Sequence, residues 1–237
     1  MRRFLGTILG KILFFLPPSM REAALFEAAS WFHRRSARPL RLDAKGPHFI
    51  NLGSGTRAIP GFINIDFFTT PGVDYGADLR FPLRIGTDTV AGIFCEHTLE
   101  HLCYRDAYAL LSECHRILKP GGTIRIVVPD LSLFLNNYCA GNQDWFREWE
   151  RLMFRESIVP ERSGRTLGSP LEAVSFVTQE YGHASCWDFD TLRNHLERSG
   201  FRDIEWTSFG RGRRETLLVD LDAKDRKFVS LYMEAVK

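Results

Sequence analysis

The stretch FINLGSGTRAIPGFINIDFF, residues 49–68, holds the first residues whose types and spacing point to chemistry. Gly53, Ser54 and Gly55 follow one apolar run, and Asp66 closes a second. Glycines at the end of a strand let backbone approach a ligand closely, and a carboxylate just beyond offers acceptors to hydroxyl groups. The letters also satisfy the dinucleotide pattern G-x-G-x-x-A, with Ala58 in the last place. That pattern demands a long helix after the turn, whose N-terminus holds pyrophosphate. Here Pro60-Gly61 comes five residues after Gly55, too soon for such a helix. Asp66 lies 13 residues past Gly53, against about 20 in the dinucleotide fingerprint. A phosphate-free ligand with ribose hydroxyls fits better, and S-adenosylmethionine is one.

A second motif, HTLEH at residues 97–101, matches the H-x-x-E-H pattern of one zinc-protease class. Two histidines four apart on a helix would share a metal, with Glu100 as base. The motif directly follows an apolar strand, and no third ligand stands in a readable context. It reads instead as a helix start, with no metal expected.

Around these motifs, strands and helices alternate. HFINL, FINID, VDYGADL and VAGIFCE are expected as strands. YRDAYALLSECHRIL puts Ala107, Leu110, Leu111, Cys114 and Leu118 at helical spacing and stops at Lys119-Pro120-Gly121-Gly122. TIRIVVP is a β-branched strand, DFDTLRNHLERSGF a helix capped by Asp188 or Asp190, and DIEWTSF and FVSLYMEAV final strands. Helices between apolar strands imply an α/β fold with a mostly parallel sheet covered on both faces. Ligands in such sheets sit at the carboxyl ends of the strands.

With these segments in order, the chain resembles class I S-adenosylmethionine-dependent methyltransferases, in the type-11-like group with a shortened first crossover. INLGSG resembles its first motif, INID its second strand with the ribose-binding acid, and ADLRFPL its adenine-side segment. GIFCEHTLEHL, CHRILKPGGTIRIVVPDL, YGHASCWDFDTLRNHLERSGF and SLYMEAVK extend the likeness over roughly residues 47–237. The resemblance implies a Rossmann-like sheet with an antiparallel last strand, and S-adenosylmethionine as cofactor. It implies a cofactor site at Gly53, Ser54, Gly55, Asp66, Phe67, Asp78, Leu79 and Glu96. Glu96 would act through its backbone or simply be solvated.

The reaction such a donor supports is an in-line displacement, so positioning and water exclusion matter most. A hydroxyl acceptor also needs a base, and histidine suits neutral pH. His183, His97 and His101 are the candidates, with Asp130 a further one unless it caps the LSLFLNNY helix. The resemblance puts His183 near the acceptor, although ASCW departs there from the family's commoner sequence. His115, His195 and His48 read as structural. WFREWERLMF, residues 145–154, is expected as a lid, acceptor wall or core. GRGRRE, residues 210–215, is a basic loop that would meet an acceptor phosphate or stay solvated.

Residues 1–46 form an N-terminal helical extension outside the domain of residues 47–237. Phe4, Leu5, Ile8, Leu9, Ile12, Leu13 and Leu16 recur at helical spacing beside Arg2, Arg3 and Lys11. Thirteen residues fall short of the roughly 20 that span a bilayer. The segment therefore lies in a membrane interface or docks over the active site. Ser19 and Glu22 form a capping box opening a second helix, whose basic end faces lipid or solvent.

Composition bounds the rest. With 237 residues, 44% hydrophobic and 25% charged, the chain is an ordinary folded protein, and its net charge of +2 implies no nucleic-acid partner. Five scattered cysteines without a C-x-x-C pair are expected as buried thiols of a reducing compartment. The expectation is methyl transfer, to oxygen, on a small-molecule, sugar or lipid-linked glycan acceptor of polysaccharide biosynthesis, in the cytoplasm or at the inner membrane face. The alternatives are an inactive cofactor-binding scaffold, against which intact Gly53, Gly55 and Asp66 count, and the zinc protease.

Overall fold

The computed structural model describes residues 17–36, 38–42, 46–156 and 164–237. The apolar segment within residues 1–16, read as membrane-lying or docked, falls outside them. The strands are β1 (Phe49–Leu52), β2 (Ile63–Asp66), β3 (Tyr75–Gly76), β4 (Val90–Glu96), β5 (Leu118–Pro129), β6 (Arg202–Thr207) and β7 (Ser230–Val236). They form one sheet in the order β3-β2-β1-β4-β5-β7-β6. Pairing is parallel from β3 through β5, with Ile50 of β1 opposite both Ile63 of β2 and Ile93 of β4. β7 runs antiparallel to β5 and to β6.

Apolar side chains dictate this arrangement. β1 and β4 are buried along most of their length, the pattern of strands covered on both faces. In β5, Ile124, Ile126 and Val128 enter the main core while Val127 joins a smaller cluster on the other face, the period-2 alternation of a strand. Between them Arg125 is fully buried, its guanidinium clamped by Asp220 at 2.6 Å and Glu234 at 3.0 Å. A buried cation is tolerated when its donors are met in this way.

The helices are α1 (Pro18–Ser36), α2 (Tyr104–Ile117), α3 (Leu131–Cys139), α4 (Gln143–Glu150), α5 (Pro170–Gln179), α6 (Phe189–Arg198) and α7 (Lys224–Val229). The expected face of α2 is buried through Ala107, Leu110, Leu111 and Cys114, and Ile117 completes it. Leu118 instead opens β5. Asp188, of the two capping choices, accepts from Thr191 N at 2.8 Å and starts α6. Residues 53–62, between β1 and β2, contain no helix, as Pro60-Gly61 requires.

Three expectations need correction. FVSLYMEAV is not one strand: Phe228 and Val229 close α7, and β7 begins at Ser230, because Val229 packs inward against the aromatic cluster beyond β5. The thiols are free as expected, but Cys103 and Cys139 are exposed. The basic end of α1 is not simply solvated: Arg34 lies over the Phe81 ring at 4.0 Å.

Candidate active site

The chain turns sharply where β1 ends. Gly53 and Gly55 both have positive φ, 66° and 52°, the region that glycine alone occupies without penalty. A Cβ on Gly53 would stand 2.0 Å from Thr98 Oγ1, so no side chain fits there. The amides of Gly53 and Ser54 donate to Ile65 O at 2.8 and 3.1 Å, tying the turn to β2. Gly55 N donates to Asp66 Oδ2 at 2.8 Å, and Phe68 N to Asp66 Oδ1 at 2.9 Å. The carboxylate thus fixes the loop and keeps acceptor lone pairs to spare. Beneath it, Asn64 accepts from Asn51 Nδ2 at 3.0 Å and from Ile59 N at 2.8 Å, closing the short crossover.

These residues border a cleft of about 720 Å³. Phe67 and Leu79 line it, and Phe26 of α1 covers it, stacked on Phe67 at 4.4 Å. S-adenosylmethionine fits what is present: a backbone cradle at Gly53 and Gly55, acceptors on Asp66, and apolar walls. Ser54 Oγ, buried and without a hydrogen-bond partner among the described residues, adds an unsatisfied polar atom beside the cradle.

Asp78 also borders the cleft, but its carboxylate is already occupied. Ser30 Oγ donates to it at 2.6 Å and Arg80 Nη2 at 2.7 Å. Burial alone would raise its pKa, yet the hydrogen bonds from Arg80 and Ser30 outweigh burial and hold it below the usual carboxylate value. Glu96 is not solvated. Its carboxylate pairs with Arg57 at 2.7 Å and accepts from Leu221 N at 3.0 Å, and burial raises its pKa despite these bonds.

A second cavity, about 300 Å³, lies beyond β5. Phe134, Trp149, Met153 and Phe176 form its aromatic wall, so WFREWERLMF contributes Trp149 and Met153. His97 and His101 border both spaces, and Glu100 and His183 border the second. His97 follows β4 at φ 47°, a strained conformation for histidine. Its Nε2 lies 2.9 Å from Ser230 Oγ. Burial, joined by the charge of Arg226, lowers its pKa to about 4. Glu100 is buried as well; burial would raise its pKa, but His97 and His101 hold it below the usual value. Leu99–His101 is a 3₁₀ turn, not an α-helix, so the i, i+4 geometry of a zincin motif is absent at His97 and His101.

His183 Nδ1 lies 2.6 Å from Val177 O. A carbonyl only accepts, so Nδ1 carries the hydrogen and Nε2 presents the lone pair. Its ring meets His101 edge-on at 5.0 Å. Asp130 caps α3, accepting from Ser132 N at 3.0 Å, and is buried, with burial raising its pKa. His195 bonds Thr191 O, and His115 packs on Phe201. In the GRGRRE loop Arg213 pairs with Glu205, while Arg211 is exposed and offers its backbone carbonyl to Arg125. Reading the sequence overlooked Phe26, Asn51, Asn64 and Thr98. Only the asparagines left a sign there, as polar residues inside apolar strands.

Residues 77–126 match the model of a methyltransferase domain family. No curated protein matches the chain. Among solved structures, a SAM-dependent methyltransferase from Thermotoga maritima is 16% identical, covering 92% of this chain and 95% of its own, with a TM-score of 0.48. One from Archaeoglobus fulgidus is 17% identical over 90% and 94% at 0.45, and one from Mesorhizobium loti 19% over 88% and 98% at 0.44. The matched residues run from the end of β3 through β4 and α2 into β5, within a sheet whose seventh strand is antiparallel, and over that stretch the chain is similar to a methyltransferase domain.

Proposed function

We propose that the protein methylates an oxygen of a small-molecule, sugar or lipid-linked glycan acceptor seated in the aromatic cavity. The observation that supports this reading is the meeting of the two cavities at His97 and His101. S-adenosylmethionine, when bound, supplies a methyl group activated on a sulfonium. The chain would hold it through the backbone of Gly53, Ser54 and Gly55, through Asp66 at the ribose, and between Phe67 and Leu79. Asp78 would act by keeping Ser30 and Arg80 in place, and Glu96 through its backbone, since its carboxylate is engaged elsewhere.

Positioning then does most of the work, because an in-line displacement gains chiefly from orientation and water exclusion. The walls at Trp149 and Phe176 suit the apolar face of an acceptor, and Glu100, His101 and His183 stand ready for its hydroxyl. Residues 1–16 would bring the enzyme to a membrane carrying a lipid-linked acceptor. Among the described residues, no helix is long and apolar enough to cross one.

Incubating the protein with methyl-labelled donor and fractionated extract tests the reading. Label is expected in a non-protein, non-nucleic-acid product, stable to alkali as an ether. Label on a nitrogen, or only on protein or nucleic acid, overturns the acceptor assignment.

A further inference from the structure

We infer that Glu100, His101 and His183 form a binding site for a first-row divalent cation at the junction of the two cavities. Each offers one ligand atom, and these atoms lie within 4.8 Å of one another. Two ligands at about 2.1 Å from a tetrahedral ion stand about 3.4 Å apart, so a modest rotation of the exposed His101 closes the set.

The second observation is the state of Glu100. Its side chain is 2% exposed, and among the described residues neither carboxylate oxygen accepts a hydrogen bond of good geometry. His97 Nδ1 stands 3.2 Å from Oε1, a charge partner only when that ring is protonated. A buried carboxylate left unsatisfied costs several kcal/mol unless something cationic completes it. The third is the orientation of His183. Val177 O holds Nδ1 at 2.6 Å and leaves the Nε2 lone pair for the ion. A backbone carbonyl on the outer nitrogen is the usual support of a ligating imidazole.

Two imidazoles and one carboxylate suit a first-row divalent ion and leave coordination positions open. For its role, though not for its existence, the site rests on the methyl-transfer reading. An acceptor hydroxyl on an open position would lose its proton to water more readily, because the ion lowers its pKa. The oxygen–carbon bond then forms as the donor's sulfur–carbon bond breaks, with nothing oxidised or reduced. His183 on this account is a cation ligand and not itself the base.

Full-length protein, stripped with chelator, would be titrated with Co²⁺ and Zn²⁺ by visible absorption and calorimetry. S-adenosylhomocysteine affinity would be measured on the same samples. One equivalent of Co²⁺ should bind with a d–d spectrum of mixed nitrogen and oxygen ligation, displaceable by Zn²⁺. Glu100→Gln and His183→Ala should each weaken binding by at least tenfold while keeping S-adenosylhomocysteine affinity. No binding, or equal binding by both variants and the parent, overturns the site. Cation binding without any S-adenosylhomocysteine binding would uphold the site and overturn the donor assignment instead.

Discussion

Replacing Asp66 with alanine tests the donor assignment most directly. In the free protein this carboxylate holds the amides of Gly55 and Phe68 at 2.8 and 2.9 Å. Each oxygen still has a lone pair turned to the cleft, where the ribose hydroxyls of S-adenosylmethionine would donate. A hydrogen bond to a charged acceptor contributes about 1.5–3 kcal/mol. The site is open to solvent, so the low end applies, and about two such bonds give roughly 3 kcal/mol. At 1.4 kcal/mol per decade, that weakens binding by about 100-fold, with loosening of the Gly55 turn adding to it. Asp66→Asn keeps one acceptor oxygen and should fall between alanine and the parent. Calorimetry with S-adenosylhomocysteine measures all three, with thermal melts of the ligand-free proteins as the control for loop stability. NAD should show no heat of binding to any of them. An alanine variant that melts as the parent does and binds within threefold of it would refute the ribose role of Asp66.

Gly53→Ala must accept a left-handed φ, at about 1–2 kcal/mol, and a Cβ 2.0 Å from Thr98 Oγ1. It should melt several degrees lower and lose donor affinity, which thermal shift with and without S-adenosylhomocysteine will read. Asp78 has a folded pKa below its unfolded one, so its contribution is full above the unfolded pKa and is lost as pH falls through the lowered value. The melting-temperature gap between parent and Asp78→Asn should therefore be widest near pH 6 and shrink below about pH 4; a gap that is constant or widens in acid contradicts the pairing with Arg80 and Ser30. The full chain should float with anionic liposomes and the chain lacking residues 1–16 should not, and equal behaviour of the two removes the membrane role.

The parts of this fold that were legible in the sequence are those where one local rule acted alone. Pro60-Gly61 forbade a crossover helix, and residues 53–62 contain none. The apolar spacing in YRDAYALLSECHRIL set the buried face of α2. Asp130 and Asp188, each just ahead of an apolar helical run, cap α3 and α6. What escaped depended on contacts remote in sequence. Phe228 and Val229 share the apolar, β-prone character of SLYMEAV, and only packing near Phe134 and Trp149 assigns them to α7. Arg213 looks like a solvated cation until Glu205 is placed beside it. Glu100 reads as a helix-start residue, and nothing local reveals that its carboxylate is buried and facing His183.

Side chains of α1 tie the N-terminal extension to the cleft. A boundary near residue 46 follows the extent of the family resemblance, but the wall of the cleft beside Gly53 and Asp66 crosses it. Phe26 stacks on Phe67 at 4.4 Å, His33 meets the same ring edge-on at 5.1 Å, and Ser30 donates to Asp78 at 2.6 Å. Glu27 pairs with Arg80 at 2.6 Å, so the guanidinium that holds Asp78 is itself held by α1. Glu27 is more than half exposed, and such a pair contributes little by itself. The aromatic stack, worth about 0.5–1.5 kcal/mol beyond its buried area, carries more of the docking. Donor bound against Phe67 would meet Phe26 as well, and the seating of α1 would then depend on occupancy of the cleft. If residues 1–16 rest on a membrane, the helix that follows them is the one whose Phe26 borders the cleft. Lipid contact and donor access would then meet in a single element.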